Sequence, residues 1–510
     1  MKRPAITLDS APLGVAQMRA IAAGQLSVEI PPTALERVQA GRNVFDAVIG
    51  SGQPVYGSTT GVGALKDSSV PQAERPEFSL ALAHAHQVAV GPELPEGVVR
   101  LAVAIRLNTA LSGRVGCSTD FVSTLGAMLN HDLLPVMHSL GSVGCGDLGQ
   151  MGELATVMTG QGQARLKGRA LPAAQALAQA GIQPLAMSTR DALAAVASNA
   201  SGIARSALAV AKGGRAIRRL MATGAASAQS MSLIRETWEA AADLGGAAEQ
   251  LMAEWLVSAL PDDGRWPVTI RVHDPLSARM LVQILAACIP PAVEAAQSVS
   301  DATARVDDNP VILRDKVVPS GGSLHIGLSQ RLSTMQVALA HLARNIFNRC
   351  LLLTNGQLRG LPINLVPPGS VATGYGPMMK LALEQSVRVT ALSPPVSVLN
   401  QTLAAGLEDE AVFLSLTAER MEAQAEALEW LSTIEAVLAA QALDLTRDKP
   451  VGVAALVYEQ VREFVPFLEH DFPHSQGLMQ LNAAMATDRW LKTIVKAAPL
   501  FPFDPVLGLN

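Results

Sequence analysis

The chain has 510 residues, of which 49% are hydrophobic and 16% charged, and its formal net charge is −5. At ~150 residues per domain, this length predicts two to four structural units. No long basic run is present, which excludes an ordinary nucleic-acid binder. The mean hydropathy of +0.27 calls for either membrane spans or a large helical core. No stretch supplies the ~18 uninterrupted apolar residues of a span. The best candidate, 281–293, carries Gln283 and is broken by Pro290 and Pro291. No membrane partner is therefore expected. Aromatic residues make up only 4%, so the core must be packed with Ala, Leu, Val and Met, which suits closely apposed helices. The four cysteines, Cys117, Cys145, Cys288 and Cys350, form no CxxC pair and suit a reducing, cytoplasmic setting. Lys2 and Arg3 precede no unbroken apolar run, so no signal peptide is read.

In chain order, the first 215 or so residues mix short helical stretches with glycine-rich turns at 56–63 and 141–149. Residues 99–111 are apolar at helical spacing. Residues 163–171, with Gly168 inside them, read as a small hairpin. Asp147 and Gln150 have the spacing of an N-cap and its capping-box partner, which predicts a helix start there. Beyond about residue 215 the texture changes to long helices. One is predicted over 324–353 and another over 407–443, the latter without a single Pro or Gly. Short β patches are predicted near 268–272 and 311–318. No internal repeat or low-complexity linker is visible. The predicted fold is mainly α, with a smaller mixed N-terminal domain over 1–215 and a long-helix bundle over 216–510.

Four separated segments carry chemistry. The first is Tyr56-Gly57-Ser58-Thr59-Thr60-Gly61-Val62-Gly63. The second is Gly141-Ser142-Val143-Gly144-Cys145-Gly146-Asp147-Leu148. The third is Asp274-Pro275-Leu276-Ser277-Ala278-Arg279. The fourth is Asp308-Asn309-Pro310, followed by Ser320-Gly321-Gly322-Ser323-Leu324-His325. In order and spacing they resemble the motifs of the histidine and phenylalanine ammonia-lyase family, and the match extends to Ala391-Leu392-Ser393 and Glu408-Asp409. The resemblance implies an ammonia-lyase-like, mainly helical homotetramer whose active sites are each built from three subunits.

The departures from that pattern are informative. Family members cyclise an Ala-Ser-Gly triplet into an electrophilic methylidene-imidazolone that activates the amine leaving group. Here the loop reads Gly144-Cys145-Gly146, one residue shorter and without the serine. Leu276 replaces the family's Tyr, Leu324 its Phe, and Ala197 its Asn, with Asn199 displaced by two. The chain is most like the family's prosthetic-group-lacking branch, the ergothionases. These eliminate trimethylamine from ergothioneine to give thiourocanate. A quaternary trimethylammonium needs no electrophile, because it already leaves as a neutral amine. Such a lyase needs a base for the β-proton and a means of stabilising negative charge. The expected cofactor is therefore none, and the expected partner is a small-molecule betaine.

By the resemblance, Tyr56 is the β-proton base. Arg279 grips the substrate carboxylate with its planar fork, and Glu408 stands in the site at what reads as a helix start. Lys380 lies in an apolar stretch where the family has an apolar residue. A buried Lys needs a partner, so a Lys380–Glu408 pair that polarises the thioimidazole ring is expected. His86, His273, His325 and Asn199 are expected to bind substrate, and Tyr375 or a carboxylate to meet the trimethylammonium. The histidines lack metal-ligand spacing such as HExxH, so no metal is expected. Two other functions fit the residues. One is an ammonia-lyase or aminomutase using a Cys145-derived electrophile. The other is a non-catalytic betaine-binding protein on the same fold.

Overall fold

The helix expected over 99–111 forms as Glu96–Ala110, and 12 of its 15 residues are buried. A helix buried all round must satisfy its polar side chains internally. Asn108 does so by donating to the carbonyls of Ala11 and Thr303 and accepting from Ser10 N–H. Arg106 forms a bidentate pair with Asp308 at 2.8 and 3.0 Å, and Arg190 reaches the same carboxylate at 3.1 Å. All three side chains have 0% exposure. This charge cluster ties the segment around residue 308 to the N-terminal helices.

The computed structural model describes residues 3–509 except 263, 265, 267–268, 270, 357, 499–500 and 502. The chain divides into two compact units. The first comprises residues 1–208, 297–330 and 395–419; the second comprises 209–296, 331–394 and 420–510. A single cut near residue 215 captures the first exit from the N-terminal unit but not the two returns to it.

The first unit holds the helices Pro32–Gly50, Arg75–Ala85, Glu96–Ala110, Thr119–Asn130, Leu148–Met158 and Asp191–Val196, with short strands between them. The expected hairpin forms as Gln163–Leu166 against Arg169–Pro172, with Leu133–Pro135 added antiparallel to its first strand. A second hairpin pairs Val311–Leu313 with Lys316–Val318. Its Ile312 and Val317 pack with Phe45, Val48 and Val55 in one buried cluster. That cluster fixes the hairpin against the start of the Tyr56 loop. Each such side chain contributes roughly 1.5–3 kcal/mol of transfer free energy on burial.

The second unit is helical, including Glu236–Leu244, Ala247–Ala259, Met378–Ala391 and Gly452–Phe464. Three long helices, Ala200–Ser230, Ile326–Thr354 and Leu414–Thr446, have 31, 29 and 33 residues. Two runs, Asp191–Ser230 and Leu281–Ala302, are long and apolar enough to cross a membrane by length and composition. The first is 83% buried within the protein, as a core helix would be.

Two sequence expectations need correction. The helix predicted over 407–443 begins only at Leu414. Phe413, the residue just before it, takes a left-handed φ of 44°, which no right-handed helix tolerates, and Ala404 and Ala405 upstream do the same at 49° and 54°. The chain instead turns so that Leu403 and Glu408 exchange backbone hydrogen bonds at 2.8 and 3.3 Å. Glu408 thus lies in a turn and not at a helix N-terminus. The expected β patch at 268–272 falls partly outside the described residues, and its described members Thr269, Arg271 and Val272 form no strand.

Candidate active site

The first unit encloses a cavity of about 610 Å³, within the range that holds a small ligand. All three segments of that unit contribute to its wall: Tyr56, His86, Cys145 and Gly146 from the first, Asp307 and Ser323 from the second, Glu408 from the third.

Tyr56 is presented by a tight turn. The N–H groups of Ser58, Thr59 and Thr60 all donate to the carbonyl of Val55, at 3.0–3.2 Å. Gly57 has φ of +63°, and a Cβ there would lie 2.4 Å from Leu193, so only glycine fits. The Tyr56 hydroxyl accepts a 2.9 Å hydrogen bond from Gly63 N–H. Burial pushes the phenol above its ordinary pKa of 10.0; the Gly63 bond opposes this, and the charges of Glu408 and Cys145 add to it. Within this chain the phenol is therefore held protonated, and a cation is required to make it a base.

The glycine-rich loop beside it is pinned at several points. Val412 and Phe413 donate to the Val143 carbonyl at 3.2 and 2.9 Å. Gly144 has φ of +81°, and a Cβ there would meet Val412, Phe413 and Leu414 at about 3 Å. Gly146 N–H donates to Asn199 Oδ1 at 3.1 Å. The backbone of Cys145 forms an isolated antiparallel bridge with Leu324. The half-buried Cys145 thiol is pushed up by burial, and Glu408 adds to that while Ser323 counteracts it.

The capping box expected at Asp147 and Gln150 does not form. Asp147 caps the helix Leu148–Met158 only in position, with no side-chain bond to its N–H groups. Its carboxylate instead accepts from Ser142 Oγ–H and Gly202 N–H, both at 2.6 Å, while Gln150 donates to the His138 carbonyl. Burial pushes the Asp147 carboxyl up to about 6 from its ordinary 3.8, against these bonds. A carboxyl that holds its proton more tightly when folded stabilises the fold fully below its unfolded pKa. That contribution is lost as pH rises through 6. Asp147→Asn is expected to flatten the rise in urea midpoint on acidification from pH 6 toward about 4. An unchanged slope would place the titration elsewhere.

His86 closes the helix Arg75–Ala85, and its Nδ1 bonds the Leu82 carbonyl at 2.7 Å. A carbonyl can only accept, so Nδ1 carries a proton and Nε2 is left for other contacts. Asn199 and His325 stand behind the wall. Asn199 N–H donates to Asp307 Oδ2 at 2.6 Å, and His325 Nε2 lies 3.6 Å from the same oxygen. Asp307 is a wall residue that sequence reasoning missed. The doubled acid before Asn309-Pro310 was the available signal. Lys66 and the exposed Asp409 and Glu410 also line the cavity.

The remaining predicted residues belong to the second unit. Arg279 ends the short helix Leu276–Arg279 and is half-buried; His273 is exposed. Lys380 is exposed on the helix Met378–Ala391, so the desolvation cost expected for it does not arise within the chain. Tyr375 is enclosed at 1% exposure, its ring centroid 5.3 Å from that of His474. None of the four lines the cavity. Among the described residues no cluster of three His, Cys, Asp or Glu could hold a metal ion.

The profile of the aromatic amino acid lyase family matches residues 13–463. The chain belongs to the aromatic amino acid lyase family. It is a carbon–nitrogen lyase of that family. The chain is 31% identical to the histidine ammonia-lyase of Anaeromyxobacter dehalogenans, over 91% of this lyase and 95% of that protein. It is 28% identical to the histidine ammonia-lyase of Paracidovorax citrulli, over 98% of this lyase and 99% of that one. Among solved structures, ergothionase from Treponema denticola, in complex with desmethyl-ergothioneine sulfonic acid, superimposes with a TM-score of 0.90 at 24% identity, covering 96% of this lyase and 99% of that chain. Histidine ammonia-lyase from Trypanosoma cruzi gives 0.89 at 22%, covering 99% and 97%. At these identities the structural likeness speaks for the ammonia-lyase fold, not the substrate.

Proposed function

We propose that this lyase eliminates trimethylamine from a betaine of histidine, converting ergothioneine to thiourocanate without a methylidene-imidazolone. The observation that carries the reading is the state of the 144–146 loop. Ring closure would require the Gly146 nitrogen to attack the Gly144 carbonyl carbon. Dehydration would then require a side-chain hydroxyl between the two glycines, and the triplet offers only the Cys145 thiol. The residues present do not fit the prosthetic group, and no step is routed through it.

The elimination then runs on the chain's own groups. The Tyr56 oxygen, as phenolate, takes the Cβ proton. The C–H electron pair becomes the Cα=Cβ bond, and the Cα–N pair leaves on neutral trimethylamine. Burial and Glu408 disfavour the phenolate, so positive charge must be supplied to it. The substrate cation supplies part of it. Lys380 and Arg279, reaching the cavity from neighbouring copies in a homotetramer, supply the rest. Arg279 also holds the carboxylate, and Glu408 with Lys380 polarises the ring.

The test is incubation of the purified protein with ergothioneine, hercynine, histidine and phenylalanine, with trimethylamine and ammonia both assayed. Trimethylamine from a betaine and no ammonia is the expected outcome. Ammonia from histidine would overturn the reading. Intact mass adds an independent arm: the chain is expected at its full mass, whereas a closed ring would show the loss of one water and one hydrogen sulfide within 144–146.

A further inference from the structure

We propose that the Asp307 carboxylate is the group that recognises the cationic nitrogen of the substrate and selects a quaternary over a primary ammonium. The selection rests on the betaine-lyase reading above; the cation site itself does not. Asp307 lies in the cavity wall at 1% exposure. Its Oδ2 accepts from Asn199 N–H at 2.6 Å and Asn199 Nδ2 at 3.2 Å, and His325 Nε2 lies 3.6 Å away. Its Oδ1 is buried and has no hydrogen-bond partner among the described residues. A buried carboxylate with half its capacity unused is costly unless something else compensates it.

The charge is present to be used. Burial alone would raise the Asp307 pKa, but His325, the Arg106 guanidinium and Asn199 N–H outweigh it and hold the carboxyl below its ordinary value. The rest of the wall carries further negative charge in Glu408, Asp409 and Glu410, while the ammonium of Lys66 is engaged by Asp67 at 2.5 Å. A cation is thereby drawn in.

The chemistry of the wall then distinguishes two kinds of cation. A primary ammonium brings three N–H donors and loses free energy if they find no acceptors. Asp307 has one unpartnered oxygen; the acceptors of Glu408, Asp409 and Glu410 stand on another segment of the wall, while Val55, Pro310, Val317 and Pro319 present only apolar side chains. A trimethylammonium brings no donors. It gains the Coulomb attraction of the carboxylate, and its methyl groups contact the apolar wall.

The test measures binding of tetramethylammonium chloride and of urocanate to the wild-type protein and to Asp307→Asn by titration calorimetry. The amide keeps an acceptor for Asn199 N–H and removes the charge. Tetramethylammonium affinity is expected to fall on the order of tenfold or more in the variant. Urocanate, which has no cationic nitrogen of this kind, is expected to bind at least as tightly as before. Equal tetramethylammonium affinity in both proteins, or none in the wild type, would overturn the proposal. A parallel loss of urocanate affinity would also overturn it, by marking Asp307 as structural. Should the amide variant not fold, Asp307→Ser, whose hydroxyl still accepts from Asn199, is measured with the same two ligands. Release of trimethylamine or ammonia by the wild type is read separately, so failure of the betaine-lyase reading is told apart from failure of the cation site.

Discussion

Tyr56→Phe is expected to lower trimethylamine release by roughly 10²–10⁴-fold while leaving betaine binding close to that of the wild type. The substitution deletes the oxygen that would take the β-proton and keeps the ring in its turn. It also leaves Gly63 N–H without its 2.9 Å partner. That loss costs about 1–3 kcal/mol of stability if the group stays dry, so a melting curve must accompany the kinetics. Because burial and Glu408 raise the phenol's pKa, wild-type kcat is also expected to climb with pH through the neutral range. A near-wild-type kcat in the variant would remove Tyr56 from its role and move attention to Glu408 or His86.

Asp308→Ala is expected to be the more damaging change to the fold. It leaves the guanidinium groups of Arg106 and Arg190 buried at 0% exposure without their shared anion. Removing one partner of a buried ion pair costs about 3–5 kcal/mol, and here two cations are stranded at once. The expected result is insoluble protein or a sharply lower urea midpoint, whereas Asp307→Asn stays soluble. Comparable midpoints for Asp308→Ala and the wild type would show that the cluster contributes little. Adjacent carboxylates thus do different work, one fixing a chain segment and its neighbour facing the cavity.

That contrast marks the limit of sequence legibility. The helix at 96–110, the hairpin at 163–172 and the β character of 311–318 were readable because local pattern and tertiary burial agree there. Tyr56, His86, Cys145 and Glu408 were readable because glycine-rich turns and the family motifs flag them. The helix start at 414 was not. The helix-favouring composition continues backward through 407–413, while the chain there turns on left-handed residues at Ala404, Ala405 and Phe413 that no propensity announces. The capping box at Asp147 failed because Ser142 and Gly202 compete for the same oxygens. Asp307 was hidden for a related reason. Its significance is one unpartnered oxygen, and partners are a tertiary property.

The assembly of one unit from residues 1–208, 297–330 and 395–419 has a consequence for biosynthesis. As the polypeptide emerges from the ribosome, the Tyr56 turn and the Cys145 loop are available early. Asp307 follows only after a long excursion, and Glu408 later still. The contacts that close the cavity are among the most distant in sequence, which slows folding and keeps apolar surface exposed while the chain waits. Leu148, Leu193 and Leu324, all part of the finished wall, belong to that waiting surface. A chain terminated before residue 395 would carry the tyrosine and cysteine loops yet lack one side of the chamber. The cavity therefore comes into being only after Glu408, more than 260 residues beyond Cys145, has been added to the chain.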